Sequence, residues 1–158
     1  MQFSEVVRKR RMVRNFTDEP VDPAAIDRIL DLARRAPSAG FTQGQSFIVV
    51  TEPERRKAVA RHCLEEEYVS DGFDPFISKA PVQIVVCTNE SDYHHRYQQP
   101  DKLDDDGSEI HWVIPYWHVD AGCAAMVVLL AAVDEGLSAG YAGVIDHAGM
   151  RSLLGMPD

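Results

Sequence analysis

One stretch of the chain is apolar on every side of a helix, and it constrains the fold more than any other feature. After Asp120 the sequence runs AGCAAMVVLLAAV over residues 121–133, and no position in this run is charged. These residues favour a helix that begins at Asp120 and ends at Gly136. A helix without a polar face must be buried all round, either in the centre of a core or between subunits. We expect a subunit interface, and therefore a homodimer.

Composition and charge restrict the class of protein. The chain has 158 residues, 45% of them hydrophobic, which suits a single domain over residues 1–158. Its formal net charge of −9 opposes binding to nucleic acid or to an anionic membrane surface. The N-terminus lacks the residue order of a secretory signal, and no run of about twenty apolar residues is available to span a bilayer. We expect a cytoplasmic protein whose cysteines, Cys63, Cys87 and Cys123, are reduced packing residues.

The hydrophobic pattern predicts further helices on either side of three strands. The predicted helices are residues 4–9 with Ser4 as candidate cap, a helix that begins at Asp22-Pro23 and ends before Pro37, residues 53–66, and a short helix capped by Asp146. The predicted strands are residues 47–50, 82–87 and 138–144. The second strand is apolar except for Gln83, which suits the middle of a sheet with helices on both faces.

Two segments lack a regular pattern. Residues 68–79 are irregular, and residues 90–110 form a long polar and acidic insertion. Inside a compact domain, a loop of that length is a lid, a binding loop or a disordered segment.

A basic block and a segment of small residues are the candidate functional features. Residues 8–14 carry five of the cations in an acidic chain, ending with Arg10, Arg11 and Arg14. They are typical either of a solvated helix end or of an anion clamp. Residues 36–45 are small residues and turn formers, typical either of a plain helix-to-strand connection or of a backbone that a flat ligand approaches closely.

Other chemistries lack their motifs. The histidines His94, His95, His111 and His118 do not have the spacing and acidic partner of a zinc hydrolase, so we expect no metal site. The sequence also contains neither a Gly-x-Gly-x-x-Gly dinucleotide motif nor a Gly-x-Ser-x-Gly nucleophile elbow.

The order of these segments resembles the flavin-dependent nitroreductase superfamily over essentially the whole chain. The resemblance rests on RRMVRNF at residues 10–16, APSAG at 36–40 with Gln43, FIVV at 47–50, and Gly136-Leu137 leading to Gly143. It implies an α+β fold, a three-layer sandwich with a central mixed sheet flanked by helices, in an intertwined homodimer. FMN would lie at the subunit interface, and the helix at residues 120–133 would form the centre of that interface.

The resemblance also implies roles for individual residues. Arg10 and Arg11 match residues that bind the FMN phosphate, with Met12 between them and Arg14, and Arg14 matches a cation near the pyrimidine edge of the flavin. The segment that passes the ring corresponds to Pro37, Ser38, Ala39 and Gly40, and Gln43 matches a residue near the ribityl chain. Ala142 and Gly143 match the strand end whose backbone approaches the hydride-accepting nitrogen, and the preceding Tyr141 is a further candidate cofactor-binding residue. No side chain is assigned as catalytic, since the flavin carries the chemistry.

The chain departs from the family pattern at several positions. Met12 stands where a serine is usual, Phe41 where an asparagine is usual, and Gly44-Gln45 where Pro-Trp is usual. We expect Phe41, Trp112 and Tyr116 to be apolar walls for a substrate, and residues 93–112 to be a lid over the flavin. Family members usually continue past the equivalent of Leu154 into a strand and a basic tail, so we expect that tail to be missing or short here.

The function implied by the resemblance is reduction of a flat electrophile, such as a nitroaromatic or a quinone. FMN would take hydride from NAD(P)H in a ping-pong mechanism. Two alternatives stay open: a flavin-fragmenting enzyme resembling dimethylbenzimidazole synthase, and a flavin or deazaflavin binding protein without turnover.

Overall fold

The computed structural model describes residues 1–157, which form helices around a small sheet. The helices are α1 (Phe3–Lys9), α2 (Pro23–Ala33), α3 (Pro53–His62), α4 (Glu65–Ser70), α5 (Glu90–Tyr97), α6 (Tyr116–Asp134) and α7 (His147–Leu154). The strands are β1 (Gln45–Val50) and β2 (Gln83–Thr88), and a short 3-10 turn covers Ala39–Phe41.

The two strands pair antiparallel, with Gln45 opposite Thr88 and Val50 opposite Gln83. Because successive strand residues point to opposite faces, the register divides the core into two parts. On one face of the sheet, Ile48 and Val50 pack with residues of α3 and α7, including Val59 and Met150. On the other face, Ile84 packs against a cluster from α2 and α6 made of Ile29, Ala131 and Ala132. Helices therefore cover both faces, as the apolar strands predict.

The sheet is smaller than predicted. Residues 138–144 are not a strand in the part of the chain that the structure describes, and the two strands there are antiparallel, so a mixed sheet is not present. Within this segment the Ala139 carbonyl accepts from Val13 N, and directly after it Ile145 N donates to the His62 carbonyl. Gly140 and Gly143 also weaken a strand, because glycine gives no side chain to pack.

Helix α6 forms the centre of the packing, in contact with α1, α2, both strands and the 3-10 turn. It begins at Tyr116, so the prediction that Asp120 starts it is wrong, and Asp120 lies buried within the helix. Within this single chain one face of α6 is not covered, because Val119 and Met126 are 45% and 46% exposed, so the core of the chain alone does not bury the helix all round. Contrary to the expectation from the sequence, α6 is long and apolar enough to cross a membrane, with a mean hydropathy of 1.6, although a core helix meets the same criterion of length and composition.

Local sequence signals explain several helix N-termini. Asp22 accepts a hydrogen bond from Ala24 N and Asp146 from Gly149 N, which confirms both predicted caps. Helix α1 is preceded by Gln2 rather than capped by Ser4, and Gln2 N donates to the Glu5 carboxylate. The cysteines are free thiols, as predicted.

Candidate functional site

The first part of the candidate site is the 38–43 loop, which connects α2 to β1. Its backbone is left-handed at Gly40, Phe41 and Gln43, with φ angles of 61°, 56° and 55°. A left-handed conformation is unusual for residues other than glycine and is unfavourable for phenylalanine. Gln43 N donates to the Ser38 hydroxyl at 2.8 Å, which closes the loop on itself. The loop thus has a defined shape and leaves the Phe41 ring 77% exposed.

Helix α6 contacts this loop through a hydrogen bond to Asp120. One carboxylate oxygen, Oδ2, accepts from Ala39 N at 2.8 Å and from the Tyr93 hydroxyl at 2.8 Å. Asp120 is 5% exposed and Tyr93 is fully buried. Burial, together with the hydrogen bond to Asp120, raises the pKa of Tyr93, so its hydroxyl stays protonated.

Helix α5 holds the loop from a second side. Arg96 Nε donates to the Gly40 carbonyl at 2.9 Å, and the Arg96 guanidinium is itself fixed by two hydrogen bonds to Asp101. The Tyr97 ring lies so close to Gly40 that a Cβ there would be 2.7 Å from Cε2 of the ring. Gly40 is therefore needed for both its left-handed backbone and its close approach to Tyr97.

The insertion at residues 90–110 is more ordered than the sequence predicts, because it begins with α5. The Trp112 ring packs against Tyr97, with centroids 4.6 Å apart, and against Trp117. Trp112 therefore belongs to an aromatic cluster that joins α5 to α6. Of the three predicted substrate walls, Phe41 and Tyr116 have exposed rings and Trp112 is half-buried.

The second part of the candidate site is the arginine segment, residues 10–16. Val13 N donates to the Ala139 carbonyl at 3.0 Å, and a Cβ on Gly140 would collide with the Val13 carbonyl. This contact brings the arginine segment against residues 138–140, next to the exposed Tyr141, Ala142 and Gly143. A cleft of about 290 Å³ lies there, lined by residues that include Lys9, Arg11, Val13 and 136–139.

The three arginines have no carboxylate partner within residues 1–157. Arg11 Nη1 donates to the carbonyls of Arg8 and Arg10, at 2.5 and 2.9 Å. The Arg14 guanidinium lies 5.7 Å from the centroid of the Phe76 ring. Among the other arginines, Arg28, Arg34, Arg35 and Arg96 each pair with an acidic residue, whereas Arg8, Arg55, Arg56 and Arg61 form no ion pair among the described residues. The arginine segment therefore keeps its positive charge un-neutralised in a protein of net charge −9.

The remaining predicted residues lie at the edges of these two parts. Pro37 precedes the 38–43 loop, and its carbonyl accepts a long hydrogen bond from the Gln45 side chain. The exposed Met12 lies within the arginine segment and carries no strong hydrogen-bond donor. The structure joins the arginine segment to residues 138–140, and joins the 38–43 loop to α5 and α6.

Sequence reasoning missed Asp120, Tyr93 and Arg96 as residues of the site. The signal for Asp120 was present, because a carboxylate beside a long apolar run is buried when that run enters the core, and a buried carboxylate needs donors. Tyr93 and Arg96 were not predicted as site residues because residues 90–110 were expected to be a loop rather than to begin with a helix. Asn89, which accepts from Ser91 N, followed by Glu90 and Asp92, is the N-terminal signal that could have revealed α5.

The family follows from comparison with known proteins. The model of the nitroreductase family matches residues 7–158. The chain belongs to the nitroreductase family. A relative from Methanothermobacter thermautotrophicus, with the provisional name NADH dehydrogenase/NAD(P)H nitroreductase, is 29% identical over 162 residues, covering 100% of this chain and 71% of the relative.

Other relatives of this chain are named for different activities. A 5,6-dimethylbenzimidazole synthase of Rhodobacter capsulatus is 29% identical over 98% of this chain and 76% of its own length. An FMN reductase (NAD(P)H) of Bacillus subtilis is 30% identical over 55% of this chain and 33% of its own length. The crystal structure of a nitroreductase family protein from Clostridium novyi superposes with a TM-score of 0.78 at 22% identity, covering 100% of this chain and 78% of that protein. This likeness confirms the nitroreductase fold.

Proposed function

We propose that this nitroreductase-family protein is an FMN-dependent NAD(P)H oxidoreductase, cytoplasmic and homodimeric, that reduces a flat electrophile such as a nitroaromatic or a quinone. The observation that carries the proposal is the arginine segment, whose guanidinium groups have no acidic partner within residues 1–157. A cluster of cations left without partners in an acidic protein is suited to an anionic ligand. The family, and a relative named as an FMN reductase, support a flavin phosphate as that anion.

The residues present fit FMN at both of its ends. Arg10 and Arg11 would hold the phosphate dianion, because guanidinium groups bind phosphate oxygens through paired N–H donors. Met12 contributes no strong donor, so the phosphate affinity rests on the arginines and on backbone amides. The small residues of the 38–43 loop would let its backbone approach the ring, and residues 141–143 are exposed beside the arginine segment.

When bound, FMN would supply the redox chemistry, namely hydride transfer from NAD(P)H and electron transfer to the acceptor in a ping-pong sequence. The protein binds and orients it. Arg14 would favour the reduced form electrostatically, since reduction adds negative charge to the pyrimidine side of the ring. Phe41 and Tyr116, whose rings are exposed, would pack against a flat acceptor. The buried Tyr93 hydroxyl donates its hydrogen bond to Asp120.

The exposed face of α6 supports the homodimer. Val119 and Met126 are seven residues apart and so lie on the same side of the helix, and both are about half exposed. A soluble protein rarely leaves such a face in water, and a second copy of the chain presents a matching apolar face. A homodimer would also allow one copy's loop and the other's arginine segment to share a ligand.

Flavin binding tests the proposal directly. Addition of FMN to the purified protein should shift the flavin absorbance and quench its fluorescence. Arg10→Ala/Arg11→Ala should weaken binding by more than about tenfold, because each lost charge-assisted hydrogen bond is worth about 1.5–3 kcal/mol. The matched control is Arg34→Ala/Arg35→Ala, which removes two exposed arginines that pair with Asp31 on α2. A parent that does not bind FMN, or equal losses in both variants, would overturn the proposal.

Reduction separates an enzyme from a binding protein. Under anaerobic conditions NADH or NADPH should bleach the bound flavin in stopped-flow measurements, and a nitroaromatic or quinone should restore its colour. A flavin that neither nicotinamide reduces would indicate storage or transport.

Flavin fragmentation is a second candidate function. The match to a 5,6-dimethylbenzimidazole synthase over 98% of this chain favours it. The reduced protein–FMN complex would be exposed to oxygen and the products separated by chromatography. Dimethylbenzimidazole in place of re-oxidised FMN would assign this activity.

A further inference from the structure

Asp120 is an unusual residue at its position, because it places a carboxylate in the most apolar helix of the chain. It is 5% exposed, while α6 around it is made of residues such as Trp117, Ala124 and Ala125, which are also buried. Removing a carboxylate from water is costly unless hydrogen bonds replace those of the solvent. Within residues 1–157 no arginine or lysine pairs with Asp120, so neutral donors must stabilise it.

Those donors come from two different parts of the site. Ala39 N belongs to the 38–43 loop and the Tyr93 hydroxyl to α5, and both donate to Asp120 Oδ2 at 2.8 Å. One oxygen therefore joins three elements that are far apart in the chain. Arg96, which donates to the Gly40 carbonyl, holds the next residue of the loop to α5 as well.

These hydrogen bonds determine which backbone groups of the loop remain available. Ala39 N is committed to Asp120, Phe41 N to the Ser38 carbonyl and Thr42 N to the Ala39 carbonyl. The Gly40 N–H has no hydrogen-bond partner among the described residues. The left-handed backbone of Phe41 and Gln43 is unfavourable by itself, so the surrounding contacts must maintain it.

We propose that Asp120 is a positioning residue for FMN: it holds the 38–43 loop in its left-handed conformation through Ala39 N. The proposal rests on the proposed function, because it assumes that this loop contacts FMN. Asp120 itself acts through the loop and not on the reaction. Tyr93 donates to the same Asp120 oxygen but makes no hydrogen bond to the loop among the described residues.

The test of this positioning role compares variants that remove the Asp120 acceptor, its charge, the Tyr93 donor or only core packing. Asp120→Leu removes the acceptor, and Asp120→Asn keeps one oxygen that can accept from Ala39 N but removes the charge. Leu129→Ala is the matched control, since Leu129 is buried on the same helix and its loss destabilises the core without touching the loop. Tyr93→Phe removes the second donor alone. If Asp120→Leu does not fold, Asp120→Ser, whose side chain is too short to reach Ala39 N, replaces it.

Three quantities are measured on each full-length protein: the Kd for FMN, the melting temperature without FMN, and the hydrogen exchange rate of the Ala39 amide. Asp120→Leu should raise the Kd by about tenfold or more, equivalent to about 1.4 kcal/mol. Leu129→Ala should change it by less than about twofold, as expected for a distant site. Asp120→Asn should restore affinity to within about threefold of the parent. Exchange of the Ala39 amide should accelerate in Asp120→Leu and not in Leu129→Ala or Tyr93→Phe.

The outcomes separate this proposal from the proposed function. A parent that fails to bind FMN overturns the function, and with it any role of Asp120 toward FMN. A parent that binds FMN, with Asp120→Leu and Leu129→Ala weakening it equally for an equal loss of melting temperature, overturns the positioning role alone. Unchanged Ala39 exchange in Asp120→Leu overturns it as well.

Discussion

A single carboxylate, Glu109, fixes the segment between α5 and α6. Its Oε1 accepts from Trp112 Nε1 and lies 2.5 Å from His94 Nδ1, and its Oε2 accepts from Gln98 Nε2 at 2.9 Å. The hydrogen bond from Trp112, followed by those from Gln98 and His94, lowers the pKa of Glu109 to about 2. The hydrogen bond to Glu109, with a smaller contribution from Glu90, raises the pKa of His94.

Stability should therefore depend on pH on both sides of this pair. The Glu109 contribution is complete above its ordinary pKa of 4.5 and is lost as the pH falls toward 2. The His94 contribution is complete below its ordinary pKa of 6.5 and is lost as the pH rises through its higher folded value. Glu109→Gln should flatten this dependence and lower the free energy of unfolding by about 1 kcal/mol, allowing for solvent screening.

Thermal unfolding between about pH 3 and pH 9 measures this dependence. Glu54→Gln is the control, because Glu54 is exposed and, within residues 1–157, forms an ion pair only with Lys57 on α3. A Glu109→Gln curve that runs parallel to that of the parent would contradict the role of the pair.

The elements show where local sequence signals are overruled. The pattern of residues 53–66 predicts one helix, and the structure has α3 and α4 separated by Leu64, whose φ is 56°. The break turns Glu65 into the core, where its Oε1 accepts from the amides of Phe76, Ile77 and Ser78. Three hydrogen bonds to the buried carboxylate outweigh the local preference for a continuous helix. The three donors lie 11 to 13 positions after Glu65, and the sequence pattern there does not indicate these hydrogen bonds.

Close packing between two helices gives a prediction at the same scale. A Cβ on Gly149 of α7 would collide with the Asp146 carboxylate and with the His62 ring of α3, which bond to each other at 2.9 Å. Alanine favours helices over glycine by up to about 1 kcal/mol, and overpacking costs about 1–3 kcal/mol. Gly149→Ala should therefore be destabilising, in contrast to Ser152→Ala on the exposed part of α7. Denaturant unfolding measures both variants, and a more stable Gly149→Ala would contradict this packing.

Features of the overall fold were predictable from the sequence where a single segment of the chain determines them. The apolar strands indicated helices on both sides of a sheet, and the resemblance indicated the family. Contacts between distant segments were not predictable. The hydrogen bonds of Ala39 to Asp120 and of Val13 to Ala139 depend on tertiary packing, and the spacing of these residues in the sequence does not indicate them. The prediction of a third strand was wrong for the same reason. A strand needs a neighbouring strand to pair with, and residues 138–144 have none within residues 1–157.

The exposed face of α6 gives the prediction for the whole molecule. If a second copy covers Val119 and Met126, Met126→Lys would place a charge in an apolar interface, where an unpaired charge costs several kcal/mol. We expect the parent to have the mass of a dimer in light scattering, and Met126→Lys to dissociate at least about tenfold more readily. Val69→Lys is the control, because Val69 on α4 is 42% exposed and lies outside this face. A parent with the mass of one chain, or a Met126→Lys variant that stays dimeric at every concentration at which the parent does, would contradict a homodimer formed through this face of α6.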